Sequence, residues 1–299
     1  MNNFAFVFPG QGVQRVGMGR GIYEKFPQAR DVLDSACKIL GESRKNVMFN
    51  GPEKELSRMS NTHLSVFLAN IMIYSIIKDA LGKEPLFAAG HGLGEYCAVY
   101  AAGCLDLGSA LKLLVIRARM MEKFSPAGSM AAVIGLEKEE VVSMCGLISL
   151  GGKFIEAVNF DSEKQTVVAG TAEAIEALKN TAKARVIPLS AKGPFHSLLM
   201  RPVQKRYNKE LSNFYFSDPA FPVVSNFRGV AEKTSGEILH SLENQIAAPV
   251  KWVSSVQFMR GNGVEVFIEC AEKSILSPLI KNIVPEAKTI NALSLVNSA

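Results

Sequence analysis

A short run between residues 86 and 102 constrains this chain most, because it joins a buried strand, a tight turn and a helix. Residues 86–89 are apolar and predict a strand, and residues 96–102 predict a helix. The turn between them reads GHGLG over residues 90–94. Glycines at both ends of a strand-to-helix turn are typical of a nucleophile elbow, written G-x-S-x-G. The central position here is Gly92, so the turn is predicted without the hydroxyl it normally presents.

Composition excludes several classes of protein. With 48% hydrophobic and 20% charged residues, the chain of 299 residues has the make-up of a globular protein. It has no uninterrupted apolar run of about 18 residues and no basic region before its first apolar segment, so neither a membrane span nor a secretory signal is expected. The five cysteines form no C-x-x-C pair, which favours a reducing, cytoplasmic location and disfavours a metal site. A net charge of +5 spread over 299 residues is too small to indicate nucleic-acid binding.

Strand and helix patterns alternate over the first 124 residues. Residues 4–8 predict a strand that ends at Pro9, and residues 64–81 and 109–124 predict helices. Such alternation is the pattern of a parallel sheet with helices on its faces. The fold class is therefore predicted to be α/β.

The pattern changes after residue 127, where six shorter elements follow one another. They are predicted in the order strand 129–135, helix 137–147, strand 154–160, strand 165–170, helix 172–184 and strand 185–189. This βαββαβ order is that of the ferredoxin-like arrangement. We therefore predict a small inserted domain over residues 127–191 and a larger domain built from 1–126 and 192–299. In its second part we expect a helix at 201–212 and strands at 221–225 and 264–269.

Three further segments carry residues suited to chemistry, and each has a plainer interpretation. The turn at residues 9–12 either is an ordinary glycine turn or directs backbone N–H groups into a cleft. Arg117 lies among apolar residues and is either a surface side chain or a buried fork for a carboxylate. His196 is either structural or, at a domain junction, catalytic. The turn at 90–94 is not G-x-G-x-x-G, so it does not favour dinucleotide binding.

Together these motifs resemble the malonyl-CoA:acyl carrier protein transacylase family, over residues from about 4 to 283. The run FPGQG at residues 8–12 is similar to the family's opening signature. The run GHGLGEY at residues 90–96 is similar to its G-H-S-L-G-E-Y elbow, with Gly92 at the serine. Arg117 matches the family arginine that holds the malonyl carboxylate. The run FHS at residues 195–197 matches the catalytic histidine segment in the form associated with malonyl-selective members.

The resemblance implies an α/β-hydrolase-like domain that carries a ferredoxin-like insert. It places residue 92 and His196 at the catalytic positions and the backbone N–H groups of Gln11 and Leu93 at the oxyanion. The positions it implies for substrate binding are Arg117, His91, His63, Gln245 and Asn159.

In that family the serine attacks a thioester, the histidine takes its proton, and the acyl group passes to a carrier protein's phosphopantetheine thiol. The implied substrates are thioesters of CoA and phosphopantetheine, with no bound cofactor. The implied partners are acyl carrier protein and malonyl-CoA or a related acyl-CoA, for fatty acid or polyketide synthesis. The chain itself is expected to be a monomer.

Three positions depart from the family pattern. Gly92 cannot form an acyl-enzyme. His63, in the run THLS at residues 62–65, replaces a glutamine that lines the family site. The run CAEK at residues 270–273 stands where the family has a V-G-P-G-like turn. Gly92 is either an introduced substitution or a natural divergence, and the two other departures favour natural divergence.

Three hypotheses follow. The first is an acyltransferase-family protein whose serine route is disabled. The second is a thioester hydrolase or decarboxylase that uses water activated by His196, or by His63 if that ring faces the cleft. The third is a non-catalytic module that binds a carrier protein. Arg117 favours the first two, because a module of the third kind needs no fork for a carboxylate.

Overall fold

The computed structural model describes residues 3–191 and 193–296. Within them the strands are β1 (Phe4–Phe8), β2 (Phe87–Gly90), β3 (Ser129–Ile134), β4 (Ile155–Ser162), β5 (Gln165–Gly170), β6 (Arg185–Pro188), β7 (Val223–Val224), β8 (Ala231–Glu232), β9 (Val266–Glu269) and β10 (Lys288–Asn291). The helices are α1 (Arg20–Lys25), α2 (Pro27–Leu40), α3 (Ser43–Asn50), α4 (Glu53–Leu56), α5 (Met59–Leu81), α6 (Gly94–Ala101), α7 (Leu107–Phe124), α8 (Lys138–Leu150), α9 (Ala172–Thr181), α10 (Arg201–Leu211), α11 (Ser235–Gln245), α12 (Trp252–Gly261), α13 (Leu276–Ile283) and α14 (Ala292–Val296).

The larger sheet has the strand order β10-β9-β1-β2-β7-β8 and is parallel except for β8, which pairs antiparallel with β7. Its central strand, β1, is buried along its whole length. Alternate side chains of that strand enter two different apolar clusters, with Phe4, Phe6 and Phe8 on one face and Ala5 and Val7 on the other. Helices cover both faces, as a parallel sheet requires. The predicted α/β class is confirmed.

A second sheet contains four antiparallel strands in the order β4-β5-β3-β6. Helices α8 and α9 pack on it and close a separate apolar cluster that includes Val133, Val141 and Leu178. The chain order from β3 to β6 is βαββαβ, and each of these six elements overlaps the range expected from the sequence. The predicted return to the larger unit falls at Lys192, which lies outside the described residues.

Strand β4 also connects the smaller sheet to the larger unit, through a segment between α11 and α12. Asn159 forms a parallel β-bridge with Val250, the Phe160 N–H donates to Val250 O at 3.0 Å, and the Val250 N–H donates to Val158 O at 2.8 Å. The register of β4 shifts between Ala157 and Asn159, which marks a bulge. Bulges re-aim side chains beside functional sites. This one lies where the smaller sheet meets the larger unit.

Helix α5 is longer than the sequence pattern indicated. It begins at Met59 rather than at residue 64, and its length and composition would allow it to cross a membrane. However, 72% of its most apolar window is buried inside the structure. Phe67, Ile71 and Ile77 belong to the largest apolar cluster. A core helix, apolar on nearly every side, accounts for these features.

Candidate active site

The loops after β1 and β2 meet at one edge of the larger sheet. These strands are adjacent and parallel, with Phe8 opposite Gly90, so their carboxyl ends lie side by side. The two loops touch so closely that a Cβ atom on Gly10 would overlap His91 O, and one on Gly94 would overlap Phe8 O. A Cβ atom on Gly90 would overlap the backbone of Gly94. Only glycine fits these three positions.

Gly92 is different, because packing does not require a glycine there. A Cβ atom at this position would have one neighbour within 4 Å, the His196 Nε2 atom at 3.6 Å. The backbone of Gly92 has a φ of 55°, in the left-handed region where a strand-to-helix elbow holds its central residue. The turn therefore keeps the geometry that presents a side chain to His196.

His196 is held so that one ring nitrogen faces residue 92. Its Nδ1 lies 2.9 Å from Gln245 O, and its backbone N–H donates to Ile246 O at 3.1 Å. Because a carbonyl oxygen only accepts, Nδ1 carries the proton and Nε2 keeps its lone pair. Burial, assisted by the positive charge of Arg117, lowers the pKa of His196 to about 4. The ring is therefore neutral near pH 7, and its lone pair is on Nε2.

Two backbone N–H groups in the cavity wall have no acceptor within the described protein. Gln11 and Leu93 both line the cavity that contains Gly92. Within the described residues neither backbone N–H donates to a protein acceptor. Unpaired donors at the first turn of a helix and at a neighbouring turn are the parts of an oxyanion hole.

The cavity has a volume of about 770 Å³ and opens between the two sheets. The loops that follow β1 and β2, strands β3 and β4 of the smaller sheet, and helices α5 and α7 contribute to its walls. Its lining residues are Gln11, Gly12, Gln14, Ser57, Arg58, Met59, His91, Gly92, Leu93, Arg117, Met121, Glu122, Ser125, Met130, Asn159, Leu189, Ser190, Ala191, Phe195 and His196. Within the described residues no group of three or more His, Cys, Asp or Glu side chains could hold a metal ion.

Arg117 is the buried cation of this cavity. It is 2% exposed, its Nη2 donates to Gln245 Oε1 at 3.1 Å, and its guanidinium carbon lies 5.3 Å from the centre of the Tyr96 ring. Among the described residues it forms no ion pair with a carboxylate, and its Nε has no hydrogen-bond partner. A buried charge without a counter-charge is costly, so this arrangement suits an anionic ligand.

The prediction that His63 binds substrate directly is wrong. Its ring is fully buried on α5 and is not part of the cavity wall. His63 Nε2 lies 3.4 Å from Arg117 Nη1, and burial, then the charge of Arg117, holds the pKa of His63 well below its usual value. A neutral ring behind the guanidinium supports Arg117 and is not placed to activate water in the cleft.

Gln245 also lies behind the cavity wall rather than in it, which corrects its predicted substrate contact. It is 1% exposed, and its Nε2 donates to Gly92 O at 2.8 Å and to Glu95 Oε2 at 2.6 Å. Its Oε1 accepts from Arg117, and its backbone oxygen accepts from His196. One glutamine thus positions the elbow, the base and the cation together.

Asn226 and Glu95 complete this support, and the sequence analysis missed both. Asn226 Oδ1 accepts from the Gly92 N–H at 2.7 Å, and Asn226 Nδ2 donates to Gly90 O at 2.5 Å. Glu95 Oε1 accepts from the Asn226 N–H at 3.1 Å. Burial raises the pKa of Glu95 to about 7. The E of the GHGLGEY run was the available signal for Glu95, whereas Asn226 lies 134 residues after Gly92 in a loop without a motif.

His91, which follows β2, and Asn159, on β4, both line the cavity. His91 Nε2 lies 2.8 Å from Asp161 Oδ1 on β4, and its ring packs against Trp252. Asn159, at the bulge of β4, has no hydrogen-bond partner for Oδ1 in the described part of the chain.

Residues 270–273, which differ from the family's V-G-P-G-like turn, support the loop that carries Gln11. Glu272 Oε2 forms an ion pair with Arg15 at 2.9 Å, and its Oε1 accepts from the Gly19 N–H at 3.0 Å. Cys270 is buried beneath these contacts, and all five cysteines of the chain are unpaired. The substituted turn therefore holds the segment after β1 through Glu272.

Comparison with known proteins agrees with this geometry. A model of the acyl transferase domain family matches residues 5–298. The chain is 35% identical over 300 residues to the malonyl CoA-acyl carrier protein transacylase of Escherichia coli (strain K12), covering 98% of this chain and 96% of that protein. The corresponding protein of Bacillus subtilis (strain 168) is 33% identical over 296 residues, with 97% and 93% covered. The chain belongs to the malonyl-CoA:acyl carrier protein transacylase family.

Solved structures of the transacylase family have the same fold. An acyl carrier protein S-malonyltransferase from Vibrio cholerae superposes with a TM-score of 0.92 at 33% identity, over 99% of both chains. A malonyl-transacylase solved in complex with its type II PKS acyl-carrier protein superposes with a TM-score of 0.94 at 32% identity, over 99% of both chains. At this similarity the mixed α/β fold with its parallel sheet is shared along the whole chain.

Proposed function

We propose that this protein binds malonyl thioesters of CoA and of acyl carrier protein in the 770 Å³ cavity. The observation that carries the proposal is Arg117, a buried guanidinium in the cavity wall that has no carboxylate partner among the described residues. The free carboxylate of a malonyl group supplies the missing anion. Arginine recognises carboxylates through two parallel N–H bonds, which suits a fixed acyl position.

The thioester carbonyl is expected at the other end of the cavity. A malonyl carboxylate on Arg117 directs the carbonyl towards Gly92, with its oxygen on the N–H groups of Gln11 and Leu93. His196 Nε2 then lies beside the carbonyl carbon. The name of the curated relatives, malonyl CoA-acyl carrier protein transacylase, supports this substrate class and its carrier. The solved complex with a type II PKS acyl-carrier protein supports a role in polyketide synthesis or in the related synthesis of fatty acids.

Serine-based transfer is absent from this proposal, because Gly92 has no side chain to acylate. Losing the nucleophile of a serine enzyme costs about 10⁶ in rate, while binding and the oxyanion hole survive. The remaining site is thus competent to bind a thioester and polarise its carbonyl. Whether Gly92 is natural or introduced does not alter this chemistry.

We further infer that residues 1–126 and 192–299 form an α/β-hydrolase-like domain, and that residues 127–191 form a ferredoxin-like insert. The antiparallel order β4-β5-β3-β6, with two helices connecting its strands, supports the second assignment. The elbow between β2 and α6 supports the first. The free thiols of all five cysteines suit the cytoplasm.

Calorimetric titration with a malonyl-CoA analogue in which a methylene replaces the thioester sulfur tests the binding proposal. We expect this analogue to bind more tightly than the matching acetyl analogue, because only malonyl has a carboxylate for Arg117. Arg117→Lys and Arg117→Ala should each remove that preference, since lysine does not reproduce the fork. Arg119→Lys is the matched control, because Arg119 is exposed on the same helix.

Equal affinity for the malonyl and acetyl analogues in the parent protein would contradict the proposal. A non-catalytic carrier-binding module would bind holo-carrier protein yet show no preference between the malonyl and acetyl forms of that carrier. The same titration with acylated carrier protein therefore separates the two functions.

A further inference from the structure

We propose that this protein hydrolyses malonyl thioesters, with a water molecule at residue 92 in place of the serine hydroxyl. This inference rests on the proposed binding of a malonyl thioester at Arg117. It adds an activity that serine-based transfer does not include. Three features support this activity: the space beside Gly92, the orientation of His196 and the unpaired N–H groups of Gln11 and Leu93.

The space beside Gly92 is open to the substrate cavity. Gly92 is part of the cavity wall, and a Cβ atom there would meet only the His196 Nε2 atom, at 3.6 Å. A side-chain hydroxymethyl group has about the bulk of one water molecule, whose share of liquid volume is about 30 Å³. A water in the place of that group lies within hydrogen-bonding range of Nε2.

The orientation of His196 makes it a base towards this position. Because Nδ1–H donates to Gln245 O, the free lone pair is on Nε2, the nitrogen that faces Gly92. A water at residue 92 donates one hydrogen to Nε2.

The reaction is balanced by water alone. The water oxygen attacks the thioester carbonyl carbon as its proton passes to His196 Nε2, and the resulting oxyanion accepts from the Gln11 and Leu93 N–H groups. Collapse of the tetrahedral intermediate breaks the carbon–sulfur bond, and His196 returns its proton to the leaving thiolate. One thioester and one water give malonate and a free thiol of CoA or of the carrier protein, with no redox change.

Glycine at residue 92 favours water over an acyl-enzyme for a geometric reason. In a serine enzyme the hydroxyl occupies the position beside the histidine, so water attacks only after acylation. With Gly92, water occupies that position from the start, and hydrolysis needs no covalent intermediate. The oxyanion hole and binding alone leave about 10³–10⁴ of rate enhancement in serine enzymes, and a positioned base contributes about 10² or more.

The test measures thiol release from malonyl-CoA with the full-length protein. We expect release at least about 10³-fold faster than in buffer, with malonate as the acyl product and one atom of ¹⁸O in it when the solvent is H₂¹⁸O. Intact-protein mass spectrometry during turnover should show no malonyl adduct. Between about pH 6 and 8 the rate should be flat, whereas attack by hydroxide would rise tenfold per pH unit.

His196→Asn is the decisive variant. Asparagine tolerates the positive φ of 63° at this position and can donate to Gln245 O, but it lacks Nε2. Thiol release should fall by about 10²-fold or more, while the methylene analogue binds with unchanged affinity. His240→Asn, at an exposed histidine, is the matched control. Gly92→Ala places a methyl group where the water sits, and should lower thiol release as well.

The outcomes separate this inference from the proposed function. Analogue binding without thiol release above the buffer rate overturns the inference and leaves the binding function intact. Acetyl-CoA and carbon dioxide as products would show decarboxylation and overturn it too. Unchanged release in His196→Asn would exclude His196 as the base. Failure of the analogue to bind would overturn both proposals.

Discussion

Gln245 and Gly92 are joined by a hydrogen bond of 2.8 Å, from the side-chain amide of one to the backbone oxygen of the other. The same glutamine accepts from Arg117 through Oε1 and from His196 through its backbone oxygen. Residue 92, the base and the cation are therefore held by one buried side chain and its main chain. A substrate that spans from carboxylate to thioester needs these three groups at fixed separations.

We predict that Gln245→Leu destabilises the protein and weakens malonyl binding together. Leucine leaves Gly92 O and Arg117 Nη2 without the partners that Gln245 supplies, and each buried polar group left unpaired costs about 1–3 kcal/mol. Urea unfolding and titration with the methylene analogue measure the two effects. Gln257→Leu, at an exposed glutamine on α12, is the control. A stable Gln245→Leu protein with full affinity would show that the network does not position the site.

Gly92→Ser should restore a covalent malonyl-enzyme. The new hydroxyl would project from a Cβ atom 3.6 Å from His196 Nε2, with the Gln11 and Leu93 N–H groups beside it. Mass spectrometry after incubation with malonyl-CoA should show a gain of one malonyl group. The φ of 55° also costs a non-glycine residue about 1–2 kcal/mol, so the free energy of unfolding should fall.

Gly92→Ala separates the backbone cost of Gly92→Ser from the effect of the new hydroxyl. It carries the same backbone cost without a hydroxyl, so it should lose similar stability and acquire no adduct. A Gly92→Ser protein that binds the methylene analogue yet stays unlabelled would mean that the departures at His63 or at residues 270–273 have altered the reactive geometry. That result would favour natural divergence of the whole site.

The sequence predicted those strands and helices whose apolar residues follow a clear pattern. Strand β1 was predicted with its observed bounds, because an apolar run there stops at Pro9. The strand–helix pattern of residues 127–191 was also clear enough to predict six elements. By contrast, β8 has two residues and β10 is a partly exposed edge strand, so they lack a usable pattern. Their places in the sheet depend on contacts distant in sequence.

The site was predicted where it follows a local motif and missed where it depends on packing. The elbow and His196 lie in short, recognisable runs. His63 was misplaced because α5 is apolar on nearly all sides, and such a helix does not reveal from sequence which face meets the cavity. Asn226 has no local signal, since its role comes from lying beside Gly90 and Gly92 in the folded chain.

Glu95 should make stability fall as the pH rises from about 4.5 to about 7. Burial raises the pKa of Glu95 from 4.5 to about 7, so in this range the folded protein holds a proton that the unfolded chain has lost. His196, whose pKa is lowered to about 4, acts in the opposite direction between about 4 and 6.5. The contribution of Glu95 is therefore isolated by comparison with Glu95→Gln.

Urea unfolding of both proteins at several pH values gives the test. The stability of the parent relative to Glu95→Gln should decrease from pH 4.5 to pH 7 and then level off. Glu122→Gln, at an exposed carboxylate on α7, is the matched control. A difference between parent and Glu95→Gln that does not change with pH would show that Glu95 ionises alike in the folded and unfolded states.

The carrier protein should approach across basic side chains near the cavity mouth. We predict contributions from exposed residues on α10 and on the smaller sheet unit, namely Arg201, Lys205, Arg206, Lys209, Lys179, Lys183 and Arg185. The guanidinium carbon of Arg206 lies 4.4 Å from the centre of the Phe124 ring. Ser125, which follows Phe124 in the chain, lines the cavity. Lys179 is within 3.9 Å of Glu176, so its charge is partly offset. The basic residues of α10 therefore carry positive charge that nearby carboxylates offset less than they offset the charge of Lys179.

Reversing the charge of Arg201, Lys205 and Arg206 together should slow association with an acidic carrier protein at low salt. Exposed charges act mainly through long-range attraction, which salt screens over about 10 Å at 0.1 M ionic strength, so the difference should shrink as salt is added. Stopped-flow association at two salt concentrations measures it, and titration with the methylene analogue should be unchanged. Reversal of Lys78, Lys83 and Lys112, exposed lysines outside the cavity wall, controls for net charge. An equal slowing by that control would mean that net charge, and not the α10 face, attracts the carrier.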